Sequence, residues 1–181
     1  MPVRRLLVMH FTNGGTALST IRNWWRTPAA KGACAHFVID RDGTVYQCRP
    51  CNRTAGHAGK SRWRDPKTGE LFTKLNSCSI GIELANAGDD VKLAQQHSTL
   101  PLLRAPHRNG GQAMEWERYP VAQVAACTAL ALALVTRYRL DDVTGHDRIA
   151  PERKLDPGPA FPMQAVREAC GFSGLPVVHW S

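Results

Sequence analysis

The twelve residues Ser77–Gly88, SCSIGIELANAG, constrain this chain more than any other stretch. Ile80, Ile82 and Leu84 alternate with Ser79, Gly81 and Glu83, the period-two spacing of a β-strand that sends one set to each face. An internal strand is covered on both faces, so a glutamate opposite three apolar residues needs a partner or a task. The flanking pattern supplies such a strand with neighbours. Val3–Met9 reads as a strand running into His10 and stopped by Thr12–Gly15. Thr16–Trp25 reads as a helix with Leu18, Ile21 and Trp25 on one face. Two apolar runs around Arg41-Asp42-Gly43 predict a hairpin. Pro120 suits the first position of an Ala-rich helix, and Pro162–Ala169 reads as a short helix. The order predicts a single α/β domain over residues 1–181, a central sheet flanked by helices, with its core at about 3–163 and a tail at 164–181. Arg53–Asn76 and Asp89–Trp116 are rich in turn formers and read as long surface segments, the kind that bind something.

Lys and Arg number 23 against 15 Asp and Glu, a formal charge of +8. Such a surface is drawn to polyanions, whether nucleic acid or an anionic wall polymer. The basic residues are scattered rather than clustered, which makes the charge a general bias. The start, MPVRRLLVMHF, has too short an apolar run for a signal peptide, so synthesis in a cytoplasm is expected. Val121–Thr136 is shorter than a bilayer span and interrupted by Gln123, so no membrane span is expected. Without a secretion signal the six cysteines are expected as free thiols, and Cys48 and Cys51 form a lone CxxC with no second pair.

His10 stands where a strand meets a Gly-rich turn. In GHDRIAPERKLDPGP (Gly145–Pro159), His146 and Asp156 bound a segment stiffened by Pro151, Pro157 and Pro159. Proline fixes its own φ and pushes the preceding residue towards extended backbone. Two histidines and a carboxylate make a common zinc set that leaves a fourth position open, yet the same residues could merely brace the segment. Glu83 could serve as a general base or as a salt-bridged surface acid. Lys154 could steady an oxyanion or simply be solvated. Lys60, Arg62, Trp63 and Arg64 could line a substrate groove or form a solvated loop.

Five blocks in order, VMHFT, AHFVIDRDGTVYQC, AGHAGKS, NSCSIGIELANAG and GHDRIAPERKLDPGPAF, resemble the type 2 zinc-dependent N-acetylmuramoyl-L-alanine amidases. That family includes phage lysozyme-like endolysins and cytosolic muropeptide amidases and is related to peptidoglycan recognition proteins. The resemblance implies their mixed-sheet fold, Zn2+ on His10, His146 and Asp156, Glu83 as catalytic acid/base and Lys154 as oxyanion stabiliser. His36 and His57 match family histidines close to the site, where they orient ligands or touch substrate. Some phage members carry a tyrosine just before the histidine matching His36 and lack the glutamate. This chain has Ala35 there and keeps Glu83, so the glutamate arrangement is expected. All three ligands being present favours an enzyme over a recognition module. The expected partner is peptidoglycan or a muropeptide, not nucleic acid, and the domain is expected to act as a monomer. Its bare, basic character favours an endolysin, with cytosolic anhydro-muropeptide recycling as the alternative.

Overall fold

The computed structural model describes residues 3–26 and 33–173. Its centre is a five-stranded sheet in the order β3-β2-β6-β1-β9, built from β1 (Leu6–Phe11), β2 (Phe37–Ile39), β3 (Val45–Gln47), β6 (Ser79–Leu84) and β9 (Asp142–Gly145). Neighbours β2, β6, β1 and β9 run parallel, and β3 closes the edge antiparallel to β2. The sheet is therefore mixed. The hairpin expected around Arg41-Asp42-Gly43 is β2–β3. The first strand begins later than Val3 and runs through His10 to Phe11, so His10 lies within it.

Parallel sheets need cover on both faces, and the strand alternation meets that need. Leu7 and Met9 of β1 join Ile80, Ile82 and Leu84 of β6 in the main core. Over them pack α3 (Val121–Tyr138) and α5 (Met163–Ala169). Pro120 is the residue just before α3, one position earlier than the sequence suggested. At 18 residues, α3 is long and apolar enough to cross a bilayer, but one stripe of it (Gln123, Cys127, Ala131, Leu134) is buried on the sheet. The Gln123 amide donates to the carbonyls of Ile39 and Ala85, both at 3.0 Å, locking the helix across two strands. Val166 and Cys170 also enter the main core. Arg167 bonds the Asp142 carboxylate and the Val143 carbonyl. The core therefore extends through Cys170 rather than stopping near residue 163.

The second face carries Leu6 and Val8 of β1, covered by Ala58, Trp63, Leu75 and Ile149. This corrects the view of residues 53–76 as a surface loop. They fold into a short hairpin, β4 (Arg62–Arg64) with β5 (Leu71–Thr73), and a 3-10 turn at Leu75–Ser77. Trp63 does not line a groove. It is 3% exposed and its indole N–H donates to Asp142 at 3.1 Å. Residues 89–116 likewise hold α2 (Val91–His97) and a hairpin of β7 (Leu103–Ala105) with β8 (Met114–Trp116). The first helix, α1 (Ala17–Arg26), turns a different face inward from the one expected. Ala17 and Ile21 are buried, with Trp24 packed beside them, whereas Leu18 and Trp25 are 44% and 80% exposed.

Candidate metal centre and its surroundings

Ligands in open parallel sheets bind beyond the carboxyl ends of the strands, and the polar cluster gathers there. His10 is next to last in β1. His146 opens α4 (His146–Ile149), the single helical turn that follows β9. Gly145 pairs with Met9 on β1. A Cβ at Gly145 would stand 2.3 Å from Asp147 Oδ1 and 2.7 Å from Pro157 Cδ, so only glycine lets the strand pass here. The Asp147 amide donates to the Asp156 carbonyl at 2.7 Å, folding the segment back so that His146 and Asp156 adjoin. Its rigidity comes from proline and also from outside. His107 Nε2 donates to the Leu155 carbonyl at 3.1 Å, and Asn109 Nδ2 to that of Pro151 at 3.0 Å.

Three atoms converge. His10 Nδ1 lies 2.9 Å from His146 Nδ1 and 2.8 Å from Asp156 Oδ2, and His146 Nδ1 lies 2.9 Å from the same oxygen. Outer partners assign the protons. The Ser79 hydroxyl donates to the Leu75 carbonyl at 2.6 Å, so its oxygen accepts from His57 Nε2–H at 3.2 Å. His57 Nδ1 is then an acceptor, and His10 Nε2–H donates to it at 3.0 Å. His146 Nε2–H donates to the Ala58 carbonyl at 3.1 Å. Both ring protons thus point away from the cluster, and two nitrogen lone pairs and a carboxylate oxygen face one another.

Three lone pairs this close repel unless a cation sits among them. The centre of their triangle is about 1.7 Å from each corner, which suits a cation with bonds of about 2 Å. Buried His10, His146 and Asp156 thus form a donor set that fits zinc, one face of a tetrahedron with the fourth position open. Burial and the neighbouring His146 lower His10 to about 4, keeping it unprotonated and ready to ligate.

Glu83 is the register partner of His10 on the adjacent strand, so both side chains rise from one face. Its Oε2 is buried with no hydrogen-bond partner. Burial, helped by the Asp156 charge, pushes its carboxyl well above the ordinary 4.5, while Lys154 opposes the shift. A dication nearby would reverse that balance. Glu83 and Lys154 both line the cavity of about 340 Å³ over the donor set, together with Thr12 and Asn13. The arrangement can bind a metal and a carbonyl, move a proton at Glu83 and offer a positive charge at Lys154.

The two other candidate histidines, His57 and His36, stand behind the donor set. His57 contacts His10, as described. His36 Nδ1 accepts from the Gly81 amide at 3.0 Å, and its Nε2 donates to the Arg53 carbonyl at 2.9 Å. With both nitrogens engaged and the ring fully buried, His36 neither ligates nor meets substrate. Its ring stacks edge-on against His57 at 5.7 Å and fixes that ring from behind. Lys60 and Arg62 border a separate concavity of about 580 Å³ with Arg153, while Arg64 bonds the Gly69 carbonyl. Arg153 donates to the Ala58 carbonyl at 2.7 Å, the oxygen that His146 also uses. Arg153, His107, Asn109 and Ser79 support the centre through tertiary contacts that no sequence spacing announces. Burial raises the Cys48 thiol to about 11 and also raises that of Cys51, which leaves the CxxC pair poor in thiolate.

Residues 1–159 match the family model described as N-acetylmuramoyl-L-alanine amidase. The chain is 30% identical to N-acetylmuramoyl-L-alanine amidase AmiD of Escherichia coli over 178 residues, covering 92% of this chain and 53% of that protein. It is 36% identical to 1,6-anhydro-N-acetylmuramyl-L-alanine amidase AmpD of Citrobacter freundii over 129 residues, 70% of this chain and 51% of the other. The chain thus spans about half the length of the curated relatives it matches. The solved complex of E. coli AmiD with anhydro-N-acetylmuramic acid-L-Ala-D-gamma-Glu-L-Lys superposes with a TM-score of 0.70 at 29% identity. That match covers 97% of this chain and 60% of the other.

Proposed function

Because this chain belongs to the N-acetylmuramoyl-L-alanine amidase family, we propose that it hydrolyses the amide between the lactyl group of N-acetylmuramic acid and L-alanine, acting on soluble anhydro-muropeptides. One observation carries the chemistry. Three lone pairs converge beside a buried glutamate oxygen that has no partner, under a cavity that also receives a lysine. His10, His146 and Asp156 would hold zinc, which when bound polarises a carbonyl and makes water more acidic. Glu83 takes the proton of the attacking water as it adds to the lactyl carbonyl. Lys154 steadies the negative charge that builds on the carbonyl oxygen. Glu83 then returns the proton to the alanine nitrogen as the C–N bond breaks. His57 and Ala58 hold the two histidine rings in the ligating tautomer throughout.

Support for the anhydro sugar comes from the relatives' names and from the substrate in the AmiD complex. An endolysin role is the second reading, supported by the +8 charge, which suits an anionic wall polymer. The test offers zinc-loaded protein both intact sacculi and soluble anhydro-muropeptides, with a chelated control and mass spectrometry of the products. Peptides beginning with L-alanine should appear faster from the soluble substrate, and Glu83→Gln should keep its metal while losing about 100-fold or more of turnover. Faster release from sacculi would favour the endolysin. No release from either would overturn the amidase reading.

A further inference from the structure

The opposite end of the sheet's parallel strands holds a second concave site that the proposed chemistry leaves unused. It is a pocket of about 600 Å³ lined by Arg4, Cys51, Asn52, Arg137, Tyr138 and Arg139, with Gln47 and Pro50 at its margin and no acidic residue in its wall. Arg4 precedes β1, whereas His10 lies near that strand's other end, so at about 3.3 Å per residue the two sites are roughly 20 Å apart. Among the described residues, no carboxylate lies within ion-pair distance of Arg4, Arg137 or Arg139.

The three guanidiniums are gathered and partly fixed in place. Arg4 Nε donates to the Cys51 carbonyl at 2.8 Å, and its guanidinium lies over the Tyr138 ring at 4.7 Å. Those contacts hold the plane of the group, and among the described residues no hydrogen bond engages its two terminal nitrogens. Arg137 approaches the same ring at 5.6 Å. Arg139 follows α3 in the left-handed conformation, φ 51°, at a position where glycine is the least strained residue. The negative end of the helix helps the cations collect, but it does not explain Arg4, which comes from another element. Like charges sharing one concavity repel until an anion joins them. A guanidinium fork matches the paired oxygens of a phosphoryl group, and holding Arg4 in advance lowers the ordering cost of binding.

We propose that this pocket is a second binding site, specific for a phosphoryl group. The test titrates the full chain with inorganic phosphate at fixed low salt and follows backbone amides by NMR. Saturable shifts at Cys51, Asn52 and Arg139 with a Kd of about 1 mM or tighter are expected. Binding should weaken at least tenfold in the Arg137→Ala/Arg139→Ala double variant. Both arginines are exposed, so the variant should fold as the parent does and cleave soluble muropeptide at the parent rate. That separates failure here from failure of the amidase reading. With phosphate binding in hand, a parallel arm uses vesicles containing phosphatidylglycerol. Capture of the parent but not the double variant makes the source a lipid headgroup, and no capture makes it a soluble phosphate. Absence of saturable shifts at these amides, or equal affinity in parent and double variant, would overturn the proposal.

Discussion

Replacing Gly81 with alanine should disturb the metal centre without touching a ligand. A Cβ at this point of β6 would stand 2.5 Å from His57 Cγ and 2.6 Å from its Nδ1. Comfortable carbon contacts begin near 3.5 Å, so the ring must retreat by about 1 Å. It has little room, because it abuts His10 at 5.1 Å and His36 at 5.7 Å, centroid to centroid. Overpacking of this kind costs about 1–3 kcal/mol. In a chain of this size that lowers Tm by about 2–4 °C for each kcal/mol. Retreat also breaks the 3.0 Å bond in which His57 accepts from His10, and losing such an outer partner weakens metal binding about 10- to 100-fold. The assay is a double-mutant cycle with His57→Ala, read by urea unfolding of zinc-free protein and by chelator competition. With the imidazole gone, the added methyl loses its three nearest contacts, so Gly81→Ala should cost far less on that background. A coupling energy close to the single-mutant cost is expected. Additive effects, or parent-like zinc affinity in Gly81→Ala, would refute this account of the ring's confinement.

Other parts of the molecule give equally direct tests. Asp156→Ala removes one of three donors and should leave well under one equivalent of zinc after desalting, while a full equivalent by metal analysis would remove Asp156 from the ligand set. In zinc-free Glu83→Gln, stability should rise between about pH 4 and 6.5. Burial lowers His10 to about 4 and holds His57 well below 6.5, so the unfolded chain binds more protons across that window and acid destabilises the fold. Glu83 itself would act with the opposite sign, because the folded chain keeps its proton to higher pH, which is why the variant is used. A slope above about 1 kcal/mol per pH unit is expected, and a flat or inverted urea profile would contradict the histidine assignment. Glu117→Ala strips the acceptor from Arg41, which bonds it through two nitrogens at 2.7 and 2.8 Å, and from the Ala87 amide. A loss of about 3–5 kcal/mol in urea midpoint analysis is expected, and a loss below about 1 kcal/mol would show that water replaces the carboxylate.

The parts of the fold legible in sequence were those with enough repeats to average over. Six alternating residues place Ile80, Ile82 and Leu84 on one face and Glu83 on the other, and the structure keeps that division. In α1, three apolar residues within ten did not fix the rotation, and the buried stripe passes through Ala17 and Ile21. The β4–β5 hairpin was illegible because its strands have three residues each and Trp63 sits between two exposed arginines. Trp63 is buried because the second face of a parallel sheet has to be covered, a demand invisible along the chain. The three donors were legible as a set only through the family resemblance, since spacing alone left them as possible braces, and the proton assignment running from Ser79 through His57 to His10 exists only in three dimensions.

The place of β1 between β6 and β9 sets an order of events for a chain emerging from the ribosome. His10 and Glu83 can lie side by side once residue 84 has been made. The other flank of β1 waits for Asp142–Gly145, and through that interval Leu6–Met9 present an unpaired strand edge, a template for joining another chain. Closing that edge also delivers His146 and, ten residues later, Asp156. Pairing of the second flank of β1 and convergence of the three donors are therefore nearly the same moment, so a single stretch of synthesis both covers the β1 edge and assembles the donor set.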